Sequence, residues 1–180
     1  MPSQPARQVV LGGLLTALAL MIPIFFRGTL QVMIGPHFSA TLASHVPSML
    51  AMWLGPTTAV MVGLGATAGF FLTLGPVVAA RAFTHVPFAA VGALLLRRGW
   101  APWAALLAVL PIHAVGEALV VWAASGTPWQ GWVTGVGTAV HHLMDAALTL
   151  AVVQLLARAG IRLAGPGQGA SGLPAAGQGR

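Results

Sequence analysis

GPVVAARAFTHVPFAAVGALLL, residues 75–96, is an apolar run interrupted by one arginine and one histidine. Gly75-Pro76 opens it and Arg97-Arg98-Gly99 follows it. Its length suits a membrane span, which takes about 20 mostly apolar residues, with a range of about 17–25. An ionised side chain at the bilayer centre costs at least about 2.5–3.5 kcal/mol on insertion scales. Arg81 must therefore turn inward, find partners, and face a pocket or path rather than lipid.

The start of this run repeats an earlier stretch. IGPHFSATLASHVP (34–47) and LGPVVAARAFTHVP (74–87) share an apolar residue, Gly-Pro, a hydroxyl residue and His-Val-Pro at the same spacing. Read as two parallel spans, the copies place His45 and His85 at one depth, with Pro47 and Pro87 kinking the helices beside them. The freed carbonyls would be those of Ala43 and Phe83. Irregular backbone at this depth is tolerated where it lines a cavity. The expectation is a pocket with the two His-Val-Pro kinks on opposite walls.

Composition sets the solvent. Of 180 residues, 57% are apolar and 6% charged, against about 25% charged in soluble domains. Such a chain cannot cover a water-facing surface, so the bilayer is its solvent. The arginines sit mainly at the ends of apolar runs, as topology requires, and do not cluster into a nucleic-acid-binding face. The chain has no cysteine, which excludes thiolate chemistry. It has no lysine, which excludes a P-loop. It also lacks the Gly-x-Ser-x-Gly, His-Glu-x-x-His and paired-aspartate patterns of hydrolases, so no enzyme activity is expected.

Six spans are predicted, at 8–26, 38–54, 57–74, 76–96, 102–124 and 132–157, giving an all-α membrane protein. The first run is long for a signal peptide and is read as a retained span. Residues 1–163 form one membrane domain, and the Gly-rich segment 164–180 is expected to be a disordered tail. An even span count puts both termini on one side with Arg7, Arg97, Arg98, Arg158 and Arg162. Arg27 lies opposite, so the termini are expected to be cytoplasmic. The link from Arg27 to His37 is the one long enough to fold over something. Trp100, Trp103, Trp129 and Trp132 lie near span ends and fit an interface belt.

The rise of a helix gives the depth of each polar group. His45, His85 and His141 come out roughly 13 Å below the outer ends of their spans, and Glu117 about 12 Å below. Arg81 lies at about 8 Å, and His113 and Asp145 at about 18–20 Å. Arg81/His85, His113/Glu117 and His141/Asp145 are i,i+4 pairs, each on one helix face. Two roles stay open for the acids: contact with a ligand, or a brace for Arg81 and the histidines. Gly13/Ala17 and Gly65/Gly69 are small-xxx-small pairs that allow close helix approach.

Six spans, cytoplasmic termini, a long first outer link and an outward-facing polar pocket resemble the S components of energy-coupling factor vitamin transporters. IGPHFSATLASHVPSMLAMWLGP (34–56) and GFFLTLGPVVAARAFTHVPFAAVGA (69–93) look most like the niacin-specific members. The resemblance implies a substrate-binding subunit of a prokaryotic plasma membrane, taking its vitamin from outside. Its implied partners are a membrane-embedded coupling subunit and two ATPase subunits that hydrolyse ATP. It implies a lid over Arg27–His37, including Arg27 and His37, and docking of the coupling subunit on Gly13 and Ala17. No cofactor is expected in this chain.

Nicotinate is a small flat anion with a ring-nitrogen acceptor. Arg81 is the candidate for its carboxylate, by a bidentate pair that Lys makes less well. His45, Ser44, Thr84 or His85 are candidates for the ring nitrogen, with Glu117 and His141 completing the site. Phe70, Phe71 or Trp122 are candidates to cover the ring. Two other readings stand beside this one. Six histidines and two acids suit Ni²⁺ or Co²⁺ transport. Histidines paired as His45/His85 or His113/His141 suit a bis-His haem.

Overall fold

The computed structural model describes residues 4–35, 38–161 and 163. Among these the order is α1 (Gln4–Phe25), β1 (Gln31–Ile34), β2 (Phe38–Thr41), α2 (Val46–Leu54), α3 (Pro56–Thr73), α4 (Pro76–Phe83), α5 (His85–Arg97), α6 (Pro102–Ser125) and α7 (Pro128–Arg158). Arg162, His37 and the expected tail at 164–180 lie outside the described residues.

Prolines mark where the helices begin. Five of them, α2, α3, α4, α6 and α7, carry Pro in their first two positions. There the missing N–H is one that no helix bond would use, and the fixed φ is already helical. Gly55 and Gly75 make the corners before Pro56 and Pro76 with φ of 113° and 90°, a range open to glycine and costly to other residues.

Five described stretches are long and apolar enough to cross a membrane: Ala6–Phe25, α3, α4 with α5 as Pro76–Arg97, α6 and α7. The second span expected at 38–54 is corrected. It is helical only over α2, nine residues, or about 13 Å of rise. The preceding residues form an antiparallel hairpin, pairing Gln31 with Thr41 and Ile34 with Phe38. The described chain is mostly helical, as an all-α membrane protein should be, with one short hairpin added. A glycine at φ 64°, Gly35, follows β1 at the hairpin turn.

The two copies of the repeat consequently fold differently. Phe38–Thr41 is a strand, whereas the equivalent Val78–Arg81 lies in α4. What the copies share is the helix start. His45 is the N-cap of α2 and His85 the first residue of α5, with Pro47 and Pro87 in the opening turns. Pro47 is thus no kink: it stands where proline is tolerated. The Ala43 carbonyl, expected to be freed, accepts from Val46 N–H at 3.2 Å.

Glycines bring the helices together. Side chains added at Gly65 and Gly69 would collide with Thr16 and Leu20 of α1, so this small pair seats α1 on α3. Gly131 and Gly135 do the same for α7 on α6, against Ala118, and Gly63 lies on the backbone of Val86. Met49, Met52, Val62, Phe88, Leu106 and Val109 fill one core below the polar layer. Leu14, Leu119, Val140 and Leu155 point outward, as lipid-facing positions should. Trp103, Trp129 and Trp132 are exposed, and the last two stack at 5.6 Å.

A Cβ on Gly63 would sit 3.0 Å from Val86 N and 3.1 Å from its Cα, and backbone cannot swing aside. Gly63→Val is expected to cost about 1–3 kcal/mol through overpacking, read as a lower thermal midpoint in detergent. Gly13→Ala, with nothing within 4 Å, should leave that midpoint unchanged.

Candidate functional site

A cavity of about 390 Å³ opens between the hairpin, α1, α3 and α4, within the ~300–1,000 Å³ usual for small-ligand sites. The strands supply one wall through their two-residue period. Gln31, Met33, Ser39 and Thr41 line this cavity. Val32, Ile34, Phe38 and Leu42 instead face an apolar groove with Trp129 and Trp132. Polar residues converge deeper in the cavity: Arg81, His85, His45, Glu117 and His141, with Ser44 beside them. Five of the six expected substrate-binding residues are therefore in one lining.

Thr84, the sixth, is not in that lining. Its hydroxyl donates to the Arg81 carbonyl at 2.7 Å, closing the break between α4 and α5. Arg27 lines the cavity, while its expected lid partner His37 lies outside the described residues. Of the ring-covering candidates, Phe70 is in the lining. Phe71 and Trp122 are not, and both are exposed on the outside of the bundle. Gly13 and Ala17 are exposed on α1, clear of the cavity.

Each acid holds its own network. Glu117 Oε2 accepts from Arg81 Nε at 3.0 Å, from Arg81 Nη2 at 2.7 Å and from Thr138 Oγ1 at 2.7 Å. Arg81 Nη2 also donates to the Ser39 carbonyl at 3.1 Å, tying α4 to β2. The Phe38 ring lies 5.7 Å from the guanidinium carbon, a cation–π distance. Of the two acids weighed as partners for Arg81, Glu117 is the one in contact.

Asp145 serves the hairpin instead. Its Oδ1 accepts from Ala43 N–H at 2.7 Å and its Oδ2 from His45 N–H at 2.9 Å. His45 Nδ1 and His141 Nε2 each lie 3.1 Å from Oδ2. Ala43 takes φ of 69°, a conformation uncommon for a residue with a Cβ. The carboxylate holds that turn by its N–H groups.

The histidines are packed together rather than spread over opposite walls. The His45 ring centroid is 4.7 Å from that of His85, 4.5 Å from His113 and 4.5 Å from His141. This corrects the opposite-wall expectation, and it leaves no room for a haem macrocycle between His45 and His85. Two groups place donor atoms within 4.8 Å of one another, close enough for a metal ion to gather them: His45/His85/His113/Glu117 and His45/His141/Asp145.

Three participants escaped the sequence reading. Ser39 acts through its carbonyl, which any residue would supply. Thr138 is one of many threonines, and only the α6–α7 register puts it on Glu117. His142 is buried beside His141, and its Nδ1 lies 3.0 Å from His113 Nδ1. Adjacent histidines on one helix point about 100° apart, so the doublet His141-His142 was a signal that both faces of α7 are buried.

No family model and no solved structure matches the chain. A curated relative, the niacin transporter NiaX of Lactococcus lactis subsp. cremoris (strain MG1363), is 39% identical over 93 residues. The match covers 51% of this chain, and the chain spans about 40% of that relative's length. Similarity to a transporter agrees with five apolar spans. The chain is a multi-pass membrane protein of the cell membrane.

Removing Asp145 strands two backbone donors. Asp145→Ala is expected to cost about 3–5 kcal/mol, the usual loss on breaking a buried pair. Thermal denaturation in detergent would show it, and limited proteolysis should cut the hairpin first.

Proposed function

We propose that this chain is the substrate-binding membrane subunit of an ATP-driven energy-coupling factor importer, taking nicotinate from outside the cell. The cavity carries the reading. Two arginines, Arg27 and Arg81, face one carboxylate, Glu117, in its lining, so the wall keeps a net positive charge. Its size suits a single small ring, and Phe70 offers a face for that ring. The similarity to a niacin transporter supports the same substrate.

Arg81 does not act as a lone cation in this reading. Glu117 fixes the guanidinium plane through Nε and Nη2, so the fork is oriented before an anion arrives. A pre-oriented donor loses less entropy on binding, which favours a planar carboxylate over a spherical anion. Ring N–H groups of the histidines are the donors available to the pyridine nitrogen. Both termini are cytoplasmic in this reading, and ATP hydrolysis belongs to two separate subunits. The coupling subunit docks on the exposed Gly13/Ala17 face of α1, where small residues allow close helix approach.

Equilibrium binding to the purified chain should show nicotinate at least about tenfold tighter than nicotinamide, the value of one charge-assisted contact. Arg81→Lys keeps a cation for Glu117 and should lose about tenfold or more of nicotinate affinity. Equal binding of acid and amide, or full affinity in Arg81→Lys, would overturn the carboxylate assignment. Gly13→Leu should leave nicotinate binding intact and abolish uptake in cells that carry the coupling module. Normal uptake by that variant would remove the docking face from the proposal.

A further inference from the structure

The histidines at the cavity floor form a second cluster of chemistry. His45, His85, His113 and Glu117 are all buried, and one donor atom from each lies within 4.8 Å of the others. Buried ring nitrogens normally find hydrogen-bond partners. Here neither nitrogen of His85 has one, nor does His113 Nε2, while His45 Nδ1 lies 3.1 Å from Asp145 Oδ2. His85 and His113, each more than nine-tenths buried, thus bring unmet ring nitrogens to this group.

The wiring around His113 says what those atoms are. His142 Nε2 faces the Leu106 carbonyl at 3.0 Å. A carbonyl only accepts, so Nε2 carries the hydrogen and His142 Nδ1 in the neutral ring is an acceptor. His113 Nδ1, 3.0 Å away, is then the donor. That leaves a lone pair on His113 Nε2, which faces Glu117 Oε1 across 3.4 Å. Two acceptors confront each other at the centre of the cluster, and a cation between them removes the conflict.

We infer that His45, His85, His113 and Glu117 form a binding site for one divalent transition-metal ion, with Zn²⁺, Co²⁺ and Ni²⁺ as its chemical class. Three imidazoles and a carboxylate favour such ions over Mg²⁺ and Ca²⁺, which prefer all-oxygen shells. Metal–ligand bonds of about 2.0–2.1 Å put the donors of a tetrahedral site about 3.4 Å apart. Side-chain shifts of up to about an ångström would bring these donors into range. The His113–His142–Leu106 relay is the outer support such a ligand commonly has, fixing tautomer and ring orientation. Glu117 divides its oxygens: Oε2 takes Arg81 and Thr138, while Oε1 turns to the cluster.

The neighbouring trio His45/His141/Asp145 is the weaker candidate. His141 Nε2 is already met by the Thr41 carbonyl at 3.0 Å, and Asp145 is taken up by the hairpin. His45, His85 and Glu117 line the cavity and His113 is fully buried behind them, so the ion would sit in the cavity floor. The inference does not rest on the vitamin reading, since these donors bind metal whatever the cavity takes.

The test uses the full chain in detergent, stripped with a chelator, without vitamin. Co²⁺ is titrated while its d–d absorption is followed, and Zn²⁺ binding is measured by calorimetry. One ion per chain is expected, with the intense visible bands of a four-coordinate site. His85→Ala leaves no partner orphaned and should fold, as gel filtration would verify, yet lose the ion. His85→Gln should behave alike. His142→Ala should weaken binding by ~10–100-fold, as loss of an outer-shell partner does. His141→Ala should keep the ion. No binding at millimolar metal would overturn the inference and leave a proton as the shared cation. Binding kept in both His85 variants, or lost in folded His141→Ala, would also overturn it.

Discussion

One carboxylate fixes the geometry of this molecule. Asp145, fully buried on α7, accepts from two backbone N–H groups of the turn that joins the hairpin to α2. In a membrane those donors have no water to fall back on, so the backbone must be satisfied by protein. A helix would have met them internally. The chain instead departs from helix between Phe26 and His45, and a side chain about a hundred residues away supplies what the helix would have. The strand pairing, the positive φ of Ala43 and the start of α2 all hang on that contact.

The second acid, Glu117, does for the cavity what Asp145 does for the hairpin. It gathers Arg81 from α4, Thr138 from α7 and the His113 ring on its own helix. A buried pair is a weak contributor to stability but a strong determinant of orientation. The guanidinium is thereby held between Ser39 on the hairpin and Glu117 on α6, so both sides of the cavity are registered on one planar group. Charge is placed by mutual constraint rather than by burial of a single ion.

Much of this was legible in the sequence. The apolar runs with Gly-Pro and Arg-Arg-Gly boundaries predicted six spans, five of which are long and apolar enough to cross a membrane, and depth counting brought Arg81, His45, His85, Glu117 and His141 to the outer half. The i,i+4 spacing of His113/Glu117 and His141/Asp145 put each pair on one inward face, as the structure shows. The hairpin was not legible, because Phe38–Thr41 is apolar enough to continue a span and the carboxylate that frees it from helix lies in another helix. For the same reason one repeated motif was read as two equal spans. His-Val-Pro marks a helix start in both copies, but what precedes it is decided by tertiary contact. Cross-helix partners such as Thr138 and His142 depend on packing register, which a single chain's pattern does not encode.

The alternation along the hairpin has one more consequence. Residues facing the cavity and residues facing the groove with Trp129 and Trp132 belong to the same two short strands. The outward set is apolar, and paired tryptophans of this kind favour the headgroup level. The hairpin wall of the cavity is then suited to meet lipid rather than water on its far side. A leaflet at that level would touch the outward side of the strands that carry Ser39 and Thr41. In the proposed binding role, affinity at this site would depend on the lipid or detergent around the hairpin as well as on the lining residues.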